Sequence, residues 1–384
     1  MTAPTSPRST VLRDRHEALG ASFTDFGGWM MPVRYTSDLA EHRAVREAAG
    51  LFDISHMAEF LVTGACAGAF LDFALAGRLS TMRLGKAKYS LLLADDGGIV
   101  DDVIVYRLGD DRFVVIANAG NHDAVAAALD ERVTGFDAGV EDVSDALSLI
   151  AVQGPRAAEI LTATEGLALV DPPVQVDAEG TPWTVGDLSY YSARGAAFEG
   201  TSVLVCRTGY TGEDGFELLI ANEAAAALWD ALRAAGKPSG LVPAGLAARD
   251  TLRLEAGMPL YGHELSRDIV PAQAGLGWVV VLDKDDFVGK AALETVVAAD
   301  AAVLVGLVAE GRRAGRAGYP VTDAGGTVVG EVTSGALSPT LGHPIALAYV
   351  SPAVAAEGTE LAIDVRGTRI PATVTATPFY RRKK

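Results

Sequence analysis

The chain has 384 residues, of which 49% are hydrophobic and 7% aromatic, and its formal net charge is −17 at pH 7. This composition is typical of a globular protein of two or three domains, and the acidic charge disfavours binding to nucleic acid or to an anionic membrane. No apolar run approaches the roughly 18 residues of a membrane span, and two distant cysteines imply no disulfide framework. We therefore expect a cytoplasmic protein. The six histidines never come at ligand spacing, which argues against a metal site.

The first 150 residues predict short strands with helices between them. Helices are expected at 10–20 and at 37–50, where Ser37 is a candidate N-cap with Glu41 nearby. A strand near 57–63, a helix in ACAGAFLDFAL and the strands KYSLLLA, IVDDVIVYRL and FVVIAN follow, before the helix HDAVAAALDERV. The strands are joined by the turns DDGG and GDDR, so the pattern indicates an α+β fold with mixed or antiparallel sheets.

From 148 to 221 the pattern repeats loosely, with strands at LSLIAVQG, near 187–193, at SVLVCRTG and at FELLIA, and a helix at PRAAEILTA. Helices near 223–236 and 244–257 follow. After about residue 280, short strands rich in Gly, Pro, Val and Thr predict a small β-barrel. We expect one region at 1–280, with subdomains 1–50 plus 145–280 and 51–144, and a barrel domain at 281–384.

The stretch GGIVDDVIVYR, residues 97–107, places two acids inside a strand. Alternation puts Asp101 on the face that also carries Arg107, whereas Asp102 is the one acid on an otherwise apolar face. If that face is buried, desolvation should raise the pKa of Asp102, as expected of a functional carboxylate. A tight turn at GDDR would bring Asn118 roughly opposite Asp102. A structural acid that caps a turn is the alternative.

A second candidate lies in CRTGYTGEDGFELLI, residues 206–220. The glycines of the loop permit positive φ and a close approach of a ligand, although a long hairpin loop explains them equally well. Glu217 is opposite in phase to the apolar residues of FELLI, so it points inward and needs a partner. A carboxylate there could bind a planar ring edge that carries two N–H donors.

Two further features are less specific. Arg249 and Arg253 lie one turn apart in a predicted helix, and at least one of them is expected on a solvated face. Aromatic residues gather on loops and strand ends, although scattered aromatics usually belong to a core; these are Tyr89, Tyr190, Tyr191, Tyr210 and Trp278. Neither GxGxxG at a helix start nor GxxxxGK[ST] occurs, which disfavours nucleotide-dependent chemistry.

Together these stretches resemble the aminomethyltransferase (T-protein) family of the glycine cleavage system, within the folate-binding T-fold. The resemblance runs from about residue 10 to residue 381. Besides the IVDD and RTGYTGEDGFEL elements, it rests on FGGWMMPVRY, GLFDISHMAEF, GLAARDTLRLEAGMPLYG, GLGWVV, DFVGKAAL, GEVTSGALSPTLGHPIALAYV and PFYR. It implies a multi-lobed α+β fold around a central folate cavity, with a C-terminal β-barrel.

The resemblance also implies a reaction and its residues. The one-carbon unit of an aminomethyl group on the lipoyl arm of the H-protein passes to tetrahydrofolate, which yields 5,10-methylenetetrahydrofolate and ammonia, with no metal, flavin or nucleotide. Asp102 resembles the catalytic aspartate, and Glu217 resembles the carboxylate that holds the pterin. The implied cavity lining and the C-terminal contact are Tyr89, Asn118, Tyr190, Tyr191, Tyr210, Arg249, Trp278 and Arg381.

The chemistry agrees with the residue pattern, because a fixed carboxylate can orient folate N5, accept a proton and stabilise developing positive charge. Docking of an acidic H-protein would need a basic patch, for which RRAGR (312–316) and RRKK (381–384) are candidates; a solvated tail is the alternative.

Other members of the fold suggest rival functions. One is a tetrahydrofolate-dependent demethylase that acts on a different donor. Folate-linked sarcosine or dimethylglycine dehydrogenases carry a flavin domain, whose dinucleotide fingerprint is absent here. An iron–sulfur assembly factor would carry a Cys in a KGC-x-GQE-type signature, and the comparable stretch YGHELSRDIVPAQAGLGW has none.

Overall fold

The computed structural model describes residues 6–170, 184–295 and 300–382. The chain forms two compact units. The first comprises Met1–Gly68, Thr81–Lys88 and Ile104–Arg249, and the second comprises Ala69–Ser80, Tyr89–Val103 and Asp250–Lys384. Each unit therefore combines segments that are distant in sequence, and the domain boundaries expected from the sequence stay a prediction.

The helices and strands lie mostly where the sequence patterns predict them. The helices are α1 (Arg13–Ala18), α2 (Asp38–Glu47), α3 (Ala67–Ala74), α4 (His122–Arg132), α5 (Ala157–Ala163), α6 (Asn222–Gly236), α7 (Leu246–Glu255) and α8 (Lys290–Leu293). The strands of the first 170 residues are β1 (Ser22–Phe26), β2 (Trp29–Arg34), β3 (Ala49–Asp53), β4 (Ala58–Thr63), β5 (Ala87–Leu93), β6 (Ile99–Arg107), β7 (Arg112–Ala117), β8 (Gly139–Asp142), β9 (Leu147–Gln153) and β10 (Leu167–Leu169). The remaining strands are β11 (Ala193–Phe198), β12 (Thr201–Cys206), β13 (Gly215–Ala221), β14 (Leu241–Pro243), β15 (Val303–Ala309), β16 (Pro320–Thr322), β17 (Val328–Leu337), β18 (Pro344–Val350), β19 (Glu360–Val365) and β20 (Thr368–Thr375).

The first unit is built on a seven-stranded sheet with the order β10-β11-β12-β13-β9-β3-β14. Its neighbours pair antiparallel except for β3 and β14, which run parallel. Helices α5 and α6 pack on one face. Helix α6 buries Ala225, Leu228, Trp229 and Leu232, which follow the three-to-four-residue period of an amphipathic helix. They join the strand residues Phe216, Leu218 and Ile220 in one apolar core.

A five-stranded sheet with the order β5-β6-β7-β4-β8 holds the hairpin of the two acids. Strands β5 and β6 each have residues in both units. The turn between them is made by residues 95–98, where the Asp96 side chain accepts a hydrogen bond from Gly98 N at 3.0 Å. Gly97 has φ of 84°, which a residue with a Cβ atom rarely adopts, so the Asp-Gly turn predicted from the sequence is confirmed.

The second unit contains a closed barrel of six strands in the order β15-β18-β17-β16-β19-β20. Along β17 and β20, buried residues alternate with more exposed ones, as the walls of a small barrel require. Its core is aliphatic and includes Leu307, Val332, Ala348 and Ile363. The predicted C-terminal barrel and the mixed α and β content are therefore confirmed.

Three local predictions needed correction. The segment near 187–193 is not a strand; a single 3₁₀ turn at Val185–Asp187 precedes β11, which begins at Ala193. The residues after Ala48 form β3 rather than the end of a helix. Ser37 occupies the N-cap position of α2 as predicted, but its side chain makes no capping bond; Glu41 accepts hydrogen bonds from the backbone of Tyr35 and Thr36 at 2.8 and 2.9 Å.

Candidate functional site

Glu217 lies on β13, and its phase in the strand confirms the prediction made from FELLI. Its neighbours Phe216 and Leu218 enter the apolar core, so alternation turns the carboxyl group to the opposite face of the sheet. Its cross-strand partners there are Cys206 on β12 and Ala151 on β9. Glu217 is only 9% exposed, so its carboxyl group depends on protein partners.

The hydroxyl groups of Tyr106 and Thr208 form a hydrogen-bonded chain that ends at the Glu217 carboxyl. Thr208 Oγ1 donates to Glu217 Oε2 at 2.5 Å, and the Tyr106 hydroxyl lies 2.7 Å from Thr208 Oγ1. Burial raises the pKa of Glu217, while the bond from Thr208 and the charge of Arg249 act to lower it. Desolvation is the largest cause, so Glu217 is a carboxyl group whose environment leaves its charge incompletely stabilised.

Arg249, on α7, is half-buried, and its charge acts on this carboxyl. Its guanidinium carbon is 4.9 Å from the centre of the Tyr210 ring, a cation–π distance. Burial lowers the pKa of Arg249, and the charges of Glu217 and Tyr210 oppose that shift. Three of the predicted site residues, Glu217, Arg249 and Tyr210, are thus brought together in the first unit.

The expectation of a solvated position for Arg249 or Arg253 was wrong. At least one of the two was expected on a solvated helix face, but Arg249 is half-buried and Arg253 is 1% exposed. In the second unit, Arg253 pairs with buried Glu264 at 3.0 Å and donates to Ser334 Oγ at 2.7 Å. Arg253 is therefore a structural ion-pair residue.

Gln153 fixes the glycine-rich loop, and sequence reasoning missed it. Its amide nitrogen donates to Thr208 O and its amide oxygen accepts from Thr211 Oγ1, both at 3.0 Å. A Cβ atom at Gly209 or Gly215 would overlap the Gln153 side chain, so these two glycines supply space. Gly212 has φ of 79°, so it supplies the positive φ expected of this loop.

Tyr190 and Tyr191 lie just before β11, with their ring centres 5.0 Å apart in an edge-to-face arrangement. Tyr190 is 42% exposed, and Tyr191 has φ of 56°, an uncommon backbone conformation for a bulky residue. Burial raises the pKa of Tyr191, and the nearby Tyr190 and Glu217 add to the shift. Tyr191 is therefore part of the same electrostatic environment as Glu217.

In the second unit, Asp102, Tyr89 and Trp278 form another group of predicted site residues. The Tyr89 hydroxyl donates to Asp102 Oδ2 at 3.0 Å. The Tyr89 ring stacks on Trp278 with 6.4 Å between centres and 26° between planes. Trp278 is 73% exposed, so it is not a core residue. The group offers a carboxylate beside a flat aromatic surface.

The burial of β6 differs from the sequence expectation. Asp101 is 0% exposed and shares its face with the buried Ile99, Val103 and Val105, whereas Asp102 is half-buried. The face of Asp101 is thus the fully buried one. Alternation separates the faces of a strand but does not say which one packs, and the role of Asp102 stays a prediction.

Asn118 and Arg381, the remaining predicted residues, lie outside the contacts given above. Asn118 is half-buried and precedes the 3₁₀ turn at Ala119–Asn121. The pairing of β6 with β7 is described from Ile104 opposite Ile116 onwards, so the pairing of Asn118 with Asp102 stays a prediction. Arg381 is exposed, after Tyr380 N donates to Glu255 O at 2.8 Å.

His56 is a further polar residue of the first unit that the sequence did not single out. It follows β3 within GLFDISHM, is 3% exposed, and its Nδ1 has no hydrogen-bond partner among the described residues. Burial, then the charge of Arg249, lower the pKa of His56 to about 4, while Asp53 opposes the shift. A histidine between strands gives no local signal for such burial.

Within 6–170, 184–295 and 300–382, no group of three or more His, Cys, Asp or Glu side chains could hold a metal ion. In the same residues, no helix is long and apolar enough to cross a membrane. The Glu217 carboxyl is buried and its pKa is raised, so N–H donors of a ligand could stabilise its charge.

Comparisons with known proteins agree with this fold. Residues 12–284 match the family model of the GCVT N-terminal domain, and residues 303–381 match the glycine cleavage T-protein C-terminal barrel domain. The chain is 55% identical to an aminomethyltransferase of Cutibacterium acnes, over 98% of this chain and 100% of that protein. It is 53% identical to one of Streptomyces coelicolor, over 99% of each chain. The crystal structure of glycine cleavage system aminomethyltransferase T from Bartonella henselae matches with a TM-score of 0.88 and 37% identity, over 98% and 99% of the chains.

A mixed α/β fold with a closed C-terminal barrel and these full-length matches define a one-carbon transferase of the T-fold class. More particularly, the chain belongs to the glycine cleavage T-protein family, whose members are aminomethyltransferases that use tetrahydrofolate as a substrate. The predicted aminomethyltransferase activity is thereby confirmed, and the comparisons give no support to the demethylase alternative.

Proposed function

We propose that this aminomethyltransferase takes its one-carbon unit from the aminomethyl group on a lipoylated H-protein, passes it to tetrahydrofolate and releases ammonia. The family match supports the reaction type. A cytoplasmic location is part of the proposal, and the free thiols of Cys66 and Cys206 suit a reducing compartment.

Asp102 is the proposed catalytic carboxylate. The observation that carries this assignment is the bond from the Tyr89 hydroxyl to Asp102 Oδ2, which fixes the carboxylate beside the Tyr89–Trp278 stack. A carboxylate held in this way can orient folate N5 and stabilise positive charge during the transfer. The transferred carbon breaks its bonds to the lipoyl sulfur, which leaves as a thiol, and to nitrogen, which leaves as ammonia, and it forms bonds to two nitrogens of folate. The stack offers flat apolar surface for an aromatic ring system.

Glu217 is the proposed pterin-binding carboxylate. Its partly stabilised, buried carboxyl would gain two charge-assisted hydrogen bonds from the amino group and the adjacent ring N–H of the pterin. The charge of Arg249 acts on Glu217, and the Arg249 guanidinium lies over the Tyr210 ring. Arg249, Tyr210, Tyr190, Tyr191, Asn118 and Arg381 are proposed further contacts to folate or carrier.

The test of Asp102 separates chemistry from binding. The variant Asp102→Asn is expected to lose nearly all ammonia release from aminomethyl-lipoyl H-protein and tetrahydrofolate, because the amide cannot accept a proton or stabilise positive charge. Its dissociation constant for tetrahydrofolate should stay within about threefold of wild type. Asp111→Asn, which changes an exposed acid to an amide, is the matched control. Turnover near wild type in Asp102→Asn would reject the assignment.

The docking surface for the acidic carrier also stays a proposal. Arg312, Arg313 and Arg316 of RRAGR are exposed on the barrel unit, whereas Lys383 and Lys384 of the RRKK tail lie outside the described residues. Truncation of 382–384, with the salt dependence of the KM for H-protein as readout, distinguishes a docking tail from a solvated one.

A further inference from the structure

Arg207 follows β12 and connects the glycine-rich loop to the segment that carries the tyrosine pair at 190–191. Its Nε and Nη2 atoms donate to the two carboxylate oxygens of Asp214 at 3.0 and 2.6 Å, across the base of the loop. Its Nη1 atom donates to Gly186 O at 2.7 Å and also to Leu188 O. One guanidinium therefore closes the loop and holds the residues that precede the tyrosine pair. Neither the family resemblance nor the proposed reaction assigns it a role.

The backbone of the tyrosine pair is fixed from two sides. Tyr191 N donates to Arg207 O at 3.0 Å, and Ala87 N donates to Tyr191 O at 2.9 Å. Arg207 N donates to Ser192 O at 2.8 Å, so Arg207 holds this segment through its backbone as well as through its side chain. The φ of 56° at Tyr191 is a conformation that persists only where the surroundings fix it. A rigid backbone thus presents the Tyr190 ring, which is 42% exposed.

A continuous series of contacts leads from Arg207 to the Glu217 carboxyl. Thr208, the next residue in the chain, donates to Glu217 Oε2 at 2.5 Å. Across the sheet, Ala193 of β11 lies opposite Cys206 of β12, and Cys206 lies opposite Glu217 of β13. A displacement at Arg207 would therefore move the tyrosine pair relative to the carboxyl that is proposed to bind the pterin.

The four hydrogen bonds of the Arg207 guanidinium require the planar fork of an arginine. A guanidinium can bind both oxygens of one carboxylate and still donate to carbonyl groups, whereas the three donors of a lysine surround a single nitrogen. The side chains of Arg207 and Asp214 are only 19% and 21% exposed, so water competes weakly for this ion pair. The change Arg207→Lys therefore keeps the charge and loosens the link.

We propose that Arg207 is a positioning residue for tetrahydrofolate, whose guanidinium fixes the tyrosine pair relative to the glycine-rich loop, so that the pair and Glu217 bind the ligand together. The inference rests on the proposed function, because it takes tetrahydrofolate as the ligand and these side chains as its contacts. It adds a residue that acts through the tyrosine pair and needs no contact with folate itself.

The first experiment compares Arg207→Lys with Arg156→Lys, a matched control in the first unit. Arg156 makes a similar forked pair with Glu159, through two bonds of 3.0 Å. Arg207→Lys should raise the dissociation constant and the KM for tetrahydrofolate about tenfold and lower kcat at saturating tetrahydrofolate by a much smaller factor. Arg156→Lys should change neither constant. A purely structural ion pair would instead lower the melting temperature and the fraction of active protein with an unchanged dissociation constant, which overturns the proposal.

The second experiment asks whether Arg207 acts through the tyrosine pair, by a double-mutant cycle on the tetrahydrofolate dissociation constant. Tyr190→Ala should weaken binding about tenfold in the wild-type background and less than threefold in Arg207→Lys, because the ring is already misplaced there. Equal factors in the two backgrounds, or no effect of Tyr190→Ala in either, would reject the inference.

A second variant keeps the cycle decisive if Arg207→Lys does not fold. Asp214→Asn removes the charge of the carboxylate partner and takes the place of Arg207→Lys in the same cycle, with the same two outcomes. Failure of wild type to bind tetrahydrofolate would reject the proposed function, whereas binding by wild type with additive effects of the two substitutions rejects this inference alone.

Discussion

Asp53 and Glu217 are buried carboxyl groups on opposite faces of one seven-stranded sheet, and they differ in how completely they are hydrogen-bonded. Asp53 pairs with Ile150 across β3 and β9, on the face of the apolar core. It accepts from Thr10 Oγ1 at 2.6 Å, from His16 Nε2 at 2.8 Å and from Ser55 N at 2.9 Å. These bonds hold the pKa of Asp53 below its ordinary value against the opposing effect of burial.

At Glu217, burial affects the pKa more than the hydrogen bonds and the nearby charge do. Thr208 is its closest donor, and burial outweighs the donors and Arg249, so the pKa of Glu217 is raised. The comparison teaches that burial alone does not mark a functional acid in this fold. A buried carboxylate whose hydrogen bonds all come from the protein stabilises the folded state. A buried carboxyl whose charge is incompletely stabilised can accept hydrogen bonds from a ligand.

The largest effect is expected from a substitution that breaks the hydrogen-bond network around Asp53. Asp53→Ala removes the acceptor of three donors and leaves His16 buried without its carboxylate, which should cost about 3–5 kcal/mol of unfolding free energy. Denaturant unfolding of the variant and wild type measures this loss. Asp145→Ala, at an exposed acid, is the control and should change stability by less than about 1 kcal/mol. A loss below about 1 kcal/mol at Asp53 would show that the network is not structural.

The next largest effect is expected at Glu217, where a substitution should lower ligand affinity and leave the stability of the fold unchanged or higher. Glu217→Gln keeps the shape of the side chain and loses the charge that we propose binds the pterin, so tetrahydrofolate affinity should fall about tenfold to a hundredfold. Unfolding free energy should stay equal or rise, because the buried group no longer ionises. Calorimetric titration measures the affinity, with Glu223→Gln as an exposed control of equal charge change. Unchanged affinity would count against Glu217 as a folate ligand.

The smallest effect is a difference in pH dependence between Asp53 and Glu59. Because the folded pKa of Asp53 is lowered from 3.8, its stabilisation is present above that pH and is lost as pH falls below it. Glu59 is 0% exposed, neither carboxyl oxygen has a partner in the described residues, and burial raises its pKa well above 4.5. The contribution of protonated Glu59 to the unfolding free energy is therefore lost as pH rises from 4.5 through the raised pKa of the folded state.

Stability measured from about pH 1.5 to 9 separates the two residues. Asp53→Asn should flatten the acid side of the profile, and Glu59→Gln should flatten the alkaline side. Identical profiles for both variants and wild type would mean that neither carboxyl has the environment described above.

Local chemistry allowed much of the fold to be predicted. The Asp-Gly turn at 95–98, the amphipathic period of α6 and the short alternating strands of the barrel depend on neighbouring residues, so they can be recognised in the chain. The displaced strand near 187–193 and the buried Arg253 depend on partners far away in sequence: Ala193 N donates to Gly85 O, and the Arg253 guanidinium donates to Ser334 Oγ. Such partners leave no local signal.

The sequence by itself determined the family, the alternation that separates Asp101 from Asp102, and the inward phase of Glu217, because side-chain direction in a strand has a fixed period of two. The tertiary structure alone decided which face of β6 is buried, that Gln153 fills the space of two glycines, and that His56 Nδ1 has no hydrogen-bond partner in the described part of the chain. These properties depend on what packs against each side chain. Burial and hydrogen-bond satisfaction arise only when distant segments meet.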